Sequence, residues 1–180
     1  YSDLSWRLTA DNGVTTNLAR LEARGSSVRI KACGDGNFRL RCEAANNRGH
    51  AKVISELEYK VRGVGKASFD AYDMISGSMF SYSEGEISNG NERGASTPRD
   101  HESILYYDNI DFGDFGSDII HIPIFELEND KLEFEIWEGK PYGDGAKKLA
   151  DAVYDKPSVW NTYQEETFRL SKRLKGLTGI

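Results

Sequence analysis

Lys52-Val53-Ile54-Ser55-Glu56-Leu57-Glu58-Tyr59-Lys60-Val61 is the stretch that decides the fold. Over most of its length residues alternate between apolar and polar. That period of two is what a strand with one buried and one wetted face requires, and an amphipathic helix does not produce it. The same pattern recurs on both sides of this stretch. Ser5-Trp6-Arg7-Leu8-Thr9 alternates and runs into Asp11-Asn12-Gly13, a turn. Leu18 to Ala23, Val28 to Cys33 and Phe38 to Cys42 alternate in turn. About five short strands in about sixty residues, separated by turn signals, match the spacing of a β-sandwich.

Composition agrees with this and removes several classes of function. Of 180 residues, 38% are hydrophobic, 29% charged and 11% aromatic. That is enough apolar material for a packed core, and the aromatic weight favours strands. The net charge is −6. With no basic excess to offset phosphate charge, nucleic acid and anionic membrane surfaces are not expected partners. No apolar run approaches the length of a membrane span and none resembles a signal peptide. Opening on Tyr1 without a Met, the chain reads as a segment of a longer protein.

The two cysteines, Cys33 and Cys42, flank Gly34-Asp35-Gly36-Asn37, which reads as a hairpin turn joining the strands on either side. Alternation then places Cys33 with Arg29 and Lys31, on the face opposite Cys42. A disulfide needs both Cβ atoms close and converging, so two half-buried free thiols are expected, although a bulge would change the faces. No histidine or second cysteine pair stands at metal-ligand spacing.

Gly63-Val64-Gly65 interrupts the strand pattern, and a domain boundary is expected there, giving a first domain over 1–63 and a second over 66–180. Residues Gly77 to Arg99 are rich in Ser, Gly, Asn and Glu and read as a long loop region with at most one or two strands. Ser103 to Phe112 reads as a strand, as does Ile119 to Phe125, where Pro123 suggests an edge or a bulge. Leu132 to Glu138 alternates acidic and apolar residues. Leu149 to Tyr154 and Thr167 to Leu170 are the last clear strands. Gln164 to Lys175 is the single helical competitor: its Lys and Arg content suits a helix and its irregular apolar spacing does not settle the matter, with strand the expectation over helix.

The nucleophile elbow, zinc-helix, phosphate-loop and dinucleotide motifs are all absent. His121 reads as a solvent-facing strand histidine, and His101, in Arg99-Asp100-His101-Glu102, as part of a solvated turn or a polar binding loop. Glu133, Glu135 and Glu138 read as a strand's wet face rather than a hydrolytic pair, which would need a preorganised cleft. Trp160, Asn161 and Tyr163 follow the strand-breaking Lys156-Pro157-Ser158. Flat rings stack on the CH-rich faces of sugars while nearby amides and carboxylates bond the hydroxyls, so this segment suits a glycan platform. The competing reading makes Trp160 core and Tyr163 its cover.

Several of these segments resemble known families. Asp108-Asn109-Ile110-Asp111-Phe112-Gly113-Asp114-Phe115-Gly116-Ser117-Asp118 resembles the N-V-D-F-G-x-x-G segment of family 6 carbohydrate-binding modules. Phe134-Glu135-Ile136-Trp137-Glu138-Gly139 is similar to the strand that follows. Ser158-Val159-Trp160-Asn161-Thr162-Tyr163 is similar to that family's T-G-x-W-x-x-W, and Leu174-Lys175-Gly176-Leu177 to its G-x-H-x-L. Trp6-Arg7, Asn17-Leu18-Ala19 and Gly34-Asp35-Gly36-Asn37-Phe38-Arg39-Leu40-Arg41 resemble the immunoglobulin-like domain found late in family 2 glycoside hydrolases. The order is similar to the C-terminal region of bacterial β-galactosidases.

The resemblance implies an all-β chain: an immunoglobulin-like β-sandwich followed by a jelly-roll, galactose-binding-like sandwich. It implies a non-catalytic accessory region of a glycoside hydrolase that binds or orients a polysaccharide or oligosaccharide beside the parent's catalytic domains, the parent being bacterial and either secreted or cytoplasmic. The alternative is a purely structural spacer with no sugar site. Carried over, the ligand-binding residues are Tyr163 as platform with Trp160, Arg99, Asp100 and Asn161 around it. Gly94-Ala95-Ser96-Thr97-Pro98-Arg99-Asp100 stands where the family keeps G-Y-I-x-x-G-D, so Ala95 replaces the partner aromatic. Asp70 and Asp73 lie near the family's calcium ligands, without the usual Glu-x-Glu, and imply a possible structural Ca²⁺. The family's last strand is missing beyond Ile180.

Overall fold

In the computed structural model, residues 3–11, 13–46, 51–89, 94–98 and 100–180 are described. Among them the secondary structure is strand, apart from one 3₁₀ turn over Gly77–Met79. The chain is all-β, as the alternation requires, and its several sheets are consistent with a β-sandwich. It divides into two compact units.

The first unit comprises Tyr1–Phe69, Met74–Met79 and Ile87–Thr97. It contains β1 (Asp3–Thr9), β2 (Ala19–Arg24), β3 (Ser27–Ala32), β4 (Gly36–Ala45) and β5 (Lys52–Val61). These form a three-stranded antiparallel sheet in the order β1-β4-β5 and a separate β2-β3 hairpin. Pairing aligns Leu8 with Leu40 and Leu40 with Leu57, and Phe38 with Tyr59, so the apolar residues of all three strands share one face. Phe38 and Leu40 are buried there with Val14, Ala19 and Ala67. Phe38 stacks on Tyr59 at 5.3 Å between ring centroids.

The Gly34–Asn37 stretch is not the expected hairpin. β3 pairs with β2, at whose turn Gly25 adopts φ 59°, and β4 pairs with β1 and β5. The stretch is a corner between sheets. The Asp35 amide donates to the Gly65 carbonyl at 2.7 Å, and the Asp35 carboxylate accepts from the Val64 amide at 2.8 Å. Gly34 is packed so tightly that an added Cβ would stand 2.5 Å from the Ala67 backbone nitrogen. Both cysteines are free and half-buried.

The second unit comprises Asp70–Asp73, Phe80–Glu86 and Pro98–Ile180. The remaining strands in chain order are β6 (Phe69–Asp70), β7 (Tyr82–Glu84), β8 (Ser88–Asn89), β9 (Ala95–Ser96), β10 (Ile104–Tyr106), β11 (Ile110–Asp111), β12 (Ser117–Ile124), β13 (Leu132–Glu138), β14 (Lys147–Tyr154), β15 (Gln164–Leu174) and β16 (Leu177–Thr178). β8 and β9 pair with each other within the first unit. The supposed long loop over 77–99 thus carries three short strands among its described residues. The single strand expected over 103–112 is two, because Asn109 takes φ 58° between β10 and β11. In the second unit β7 pairs with β10, β11 with β16, β12 with β15 and β13 with β14, all antiparallel.

Gln164–Leu174 is a strand, as expected over the helical alternative. Phe168 and Leu170 point inward with Ile136, Leu149, Ala152 and Tyr154. Phe134 meets Phe168 edge-on at 5.2 Å, tying β13 to β15. Burying such side chains stabilises by roughly 1.5–3 kcal/mol each.

Candidate functional site

β14 ends at Tyr154, and the chain leaves the sheet at Asp155 before re-entering as β15 at Gln164. Pro157 cannot donate to a ladder, which suits this exit. Both ends of the excursion are fastened. The Ser158 amide donates to the Asn129 side-chain oxygen at 2.8 Å, and the Ser158 hydroxyl to the Glu126 carbonyl at 2.5 Å. The Gln164 amide group donates to the Pro157 carbonyl at 2.7 Å. Lys156 donates to the Glu165 carbonyl at 2.6 Å and pairs with Glu166 at 3.0 Å.

Between these anchors a tight turn is closed by the Thr162 amide donating to the Val159 carbonyl at 3.0 Å. Asn161 occupies it at φ 54°, a left-handed conformation that asparagine tolerates better than most residues. The turn lifts Trp160 out of the protein: its side chain is 81% exposed. The reading of Trp160 as core is therefore excluded. Tyr163 is 37% exposed. Phe125, half-buried at the end of β12, holds both rings. It meets Trp160 at 6.1 Å and 81° between planes, and Tyr163 at 6.0 Å and 60°. Edge-on contacts of this kind add about 0.5–1.5 kcal/mol beyond burial and fix ring orientation.

The result is an exposed indole and phenol fastened to a strand end, with the Asn161 amide between them. Among the described residues no hydrogen bond engages the Trp160 indole nitrogen, the Asn161 amide or the Tyr163 hydroxyl. Three polar groups are thus open beside two apolar ring faces. A ligand with flat CH faces and hydroxyls at the rim fits that chemistry.

The other sequence-derived candidates lie elsewhere. Arg99 lies outside the described residues. Asp100 is exposed and its carboxylate takes His101 Nδ1 at 2.7 Å; no contact among the described residues links it to the Trp160 turn. Ala95, in β9, pairs with Asn89. Asp70 and Asp73 share a single turn, with the Asp73 amide donating to the Asp70 carbonyl at 3.2 Å and Asp70 Oδ1 accepting from the Tyr72 amide at 3.0 Å. Calcium takes six to eight oxygens. Among the described residues no group of three or more His, Cys, Asp or Glu side chains contains this pair. His121 faces solvent, within 3.0 Å of the Thr167 hydroxyl. Glu133 and Glu135 lie on the wet face, while Glu138 is half-buried and paired with Lys172 at 2.6 Å.

No family model, curated protein or solved structure matches the chain.

Sequence reasoning missed Phe125, because a residue closing a strand gives no periodic sign of what will pack on it. It also missed a second aromatic group. Trp137 lies 5.2 Å from Tyr142, which is largely exposed at φ 62° in the β13–β14 connection. Lys140 Nζ stands 3.5 Å over the Tyr82 ring. Here the Trp137 nitrogen is already engaged, donating to Glu135 at 2.9 Å. Lys140 is likewise held, pairing with Glu84 at 3.6 Å.

Proposed function

We propose that the chain is a non-catalytic accessory region of a glycoside hydrolase of the family 2, β-galactosidase-like type, and that its second unit binds a polysaccharide or oligosaccharide. In this reading the first unit is an immunoglobulin-like sandwich and the second a jelly roll of the family 6 carbohydrate-binding kind. The observation that carries it is the Trp160 ring, 81% exposed and steadied with Tyr163 on Phe125. Exposing an indole costs the protein burial energy that a core position would have gained. A ligand that stacks on it recovers part of that. Asn161 supplies the hydrogen-bonding rim, and the two rings set the ligand's orientation.

The test is calorimetric titration of the chain in calcium-containing buffer with galactosides, xylans and β-glucans. Binding is expected to one class, and Trp160→Ala and Tyr163→Ala are each expected to weaken it, since losing a stacked ring removes about 1–3 kcal/mol, roughly five- to 150-fold in affinity. Unchanged affinity in both variants would sink the site. The alternative, a structural spacer, is favoured by a different observation: the exposed apolar side chains of β5. It predicts no binding to any glycan by the folded chain.

A further inference from the structure

β5 is the last strand of its sheet, and among the described residues nothing pairs with its outer side. An antiparallel edge strand leaves every second residue's N–H and C=O pointing outward, a template for another strand. Side chains from Lys52 to Lys60 are exposed, including Val53 at 49% and Leu57 at 56%. These two extend the apolar face that buries Phe38 and Leu40, since Val53 is opposite Ala44 and Leu57 opposite Leu40. The opposite face carries charges around an exposed Ile54: Lys52 pairs with Glu43 at 3.6 Å, and Glu56 and Glu58 are held toward Arg41 and Arg39 at 3.4 and 3.0 Å.

We propose that β5 pairs antiparallel with β5 of a second copy of this chain, with Ser55 opposite Ser55. This is independent of the glycan reading. The choice of occupant follows from charge. For two identical strands, only registers that pair odd residues with odd keep the apolar faces continuous and the outward amides aligned. Centring on Glu56 sets Glu56 against Glu56 and Lys52 against Lys60. Centring on Leu57 sets Glu56 against Glu58. Centring on Glu58 sets Glu58 against itself. Like charges directly opposite are destabilising. Centring on Ile54 or on Tyr59 opposes no like charges but pairs only five residues of each β5, whereas centring on Ser55 pairs seven, sets Lys52 against Glu58 twice by symmetry and likewise opposes no like charges. The Ser55 register also sets Val53 against Leu57 on the apolar face and leaves Lys60 beyond the paired stretch. The result is an isologous interface that joins two three-stranded sheets into one.

Sedimentation velocity of the whole chain tests this, over concentrations from about 1 to 200 µM. The parent is expected to dimerise within that range. Lys52→Glu and Glu58→Lys, which create like-charge pairs across the two-fold, are each expected to weaken association about tenfold or more. The double variant, with the two charges exchanged, restores the complementary pair and is expected to recover dimerisation, which also shows that the single variants fail for reasons of pairing rather than folding. A parent that stays monomeric throughout overturns the proposal. So do single variants that dimerise like the parent, or a double variant that does not recover.

Discussion

Gly116 meets two demands at once. Its φ is 74°, and a Cβ at this position would overlap the Leu174 carbonyl. Gly113, three residues earlier, has φ 61° but open space around its would-be Cβ. The pair separates conformational from steric cost. Gly113→Ala is expected to destabilise by about 1 kcal/mol, the left-handed penalty alone. Gly116→Ala is expected to cost about 3 kcal/mol or more, because β15 must also move. Equilibrium urea unfolding measures both, and equal losses would contradict the steric account. The spacing of these glycines was visible in the sequence; its reason is the return of the chain, with the Gly176 amide donating to the Gly113 carbonyl at 2.9 Å. The Trp160 turn was legible in the same limited way. Pro157 announced a break, but the turn at Asn161 was not read, and the sequence left open whether the indole faced in or out. That depended on Phe125, far along the chain and silent in any local pattern.

Strands carried the clearest signals where one face is wet. β13 and β15 alternate in burial; β13 was read at its observed length, while Leu149–Tyr154 was read of β14 and Thr167–Leu170 was the clear part of β15. The failure at Gly34–Asn37 has a specific cause. Glycine-rich tetrapeptides mark tight reversals, but whether the strands so joined pair with each other depends on what holds the corner. Here Asp35 is bound to Val64 and Gly65, about thirty residues on, so β4 leaves β3 and joins another sheet. At the entry to β15, the Glu166 carboxylate is held below its ordinary pKa of 4.5, first by the Thr167 amide and then by Lys156. A carboxyl depressed on folding contributes stability that is present above its unfolded value and is lost as pH falls through the folded one. Melting temperature is therefore expected to fall more steeply with acid in the parent than in Glu166→Gln, over roughly pH 5 to 3. Parallel curves for the two proteins would show that these contacts do not hold in solution.

Across the whole chain, the acidic balance and the aromatic content pointed to a class of protein, and the positions of the aromatics give the sharper test. The sequence contains three tryptophans, one in the first unit and two in the second. Trp6 and Trp137 are half-buried, whereas Trp160 stands in solvent. Composition alone could not rank them, since an indole is usually worth burying and its exposure is set by the turn beneath it. The ranking has an optical consequence that needs no ligand. Acrylamide should quench the parent's fluorescence in two phases, the more accessible one due to Trp160, and Trp160→Phe should remove that phase and shift the remaining emission to the blue. Asn161→Gly, which keeps the left-handed turn but removes the rim amide, should leave the quenching profile unchanged. A quenching curve that Trp160→Phe does not alter would place the indole inside the protein and withdraw the platform on which glycan binding depends.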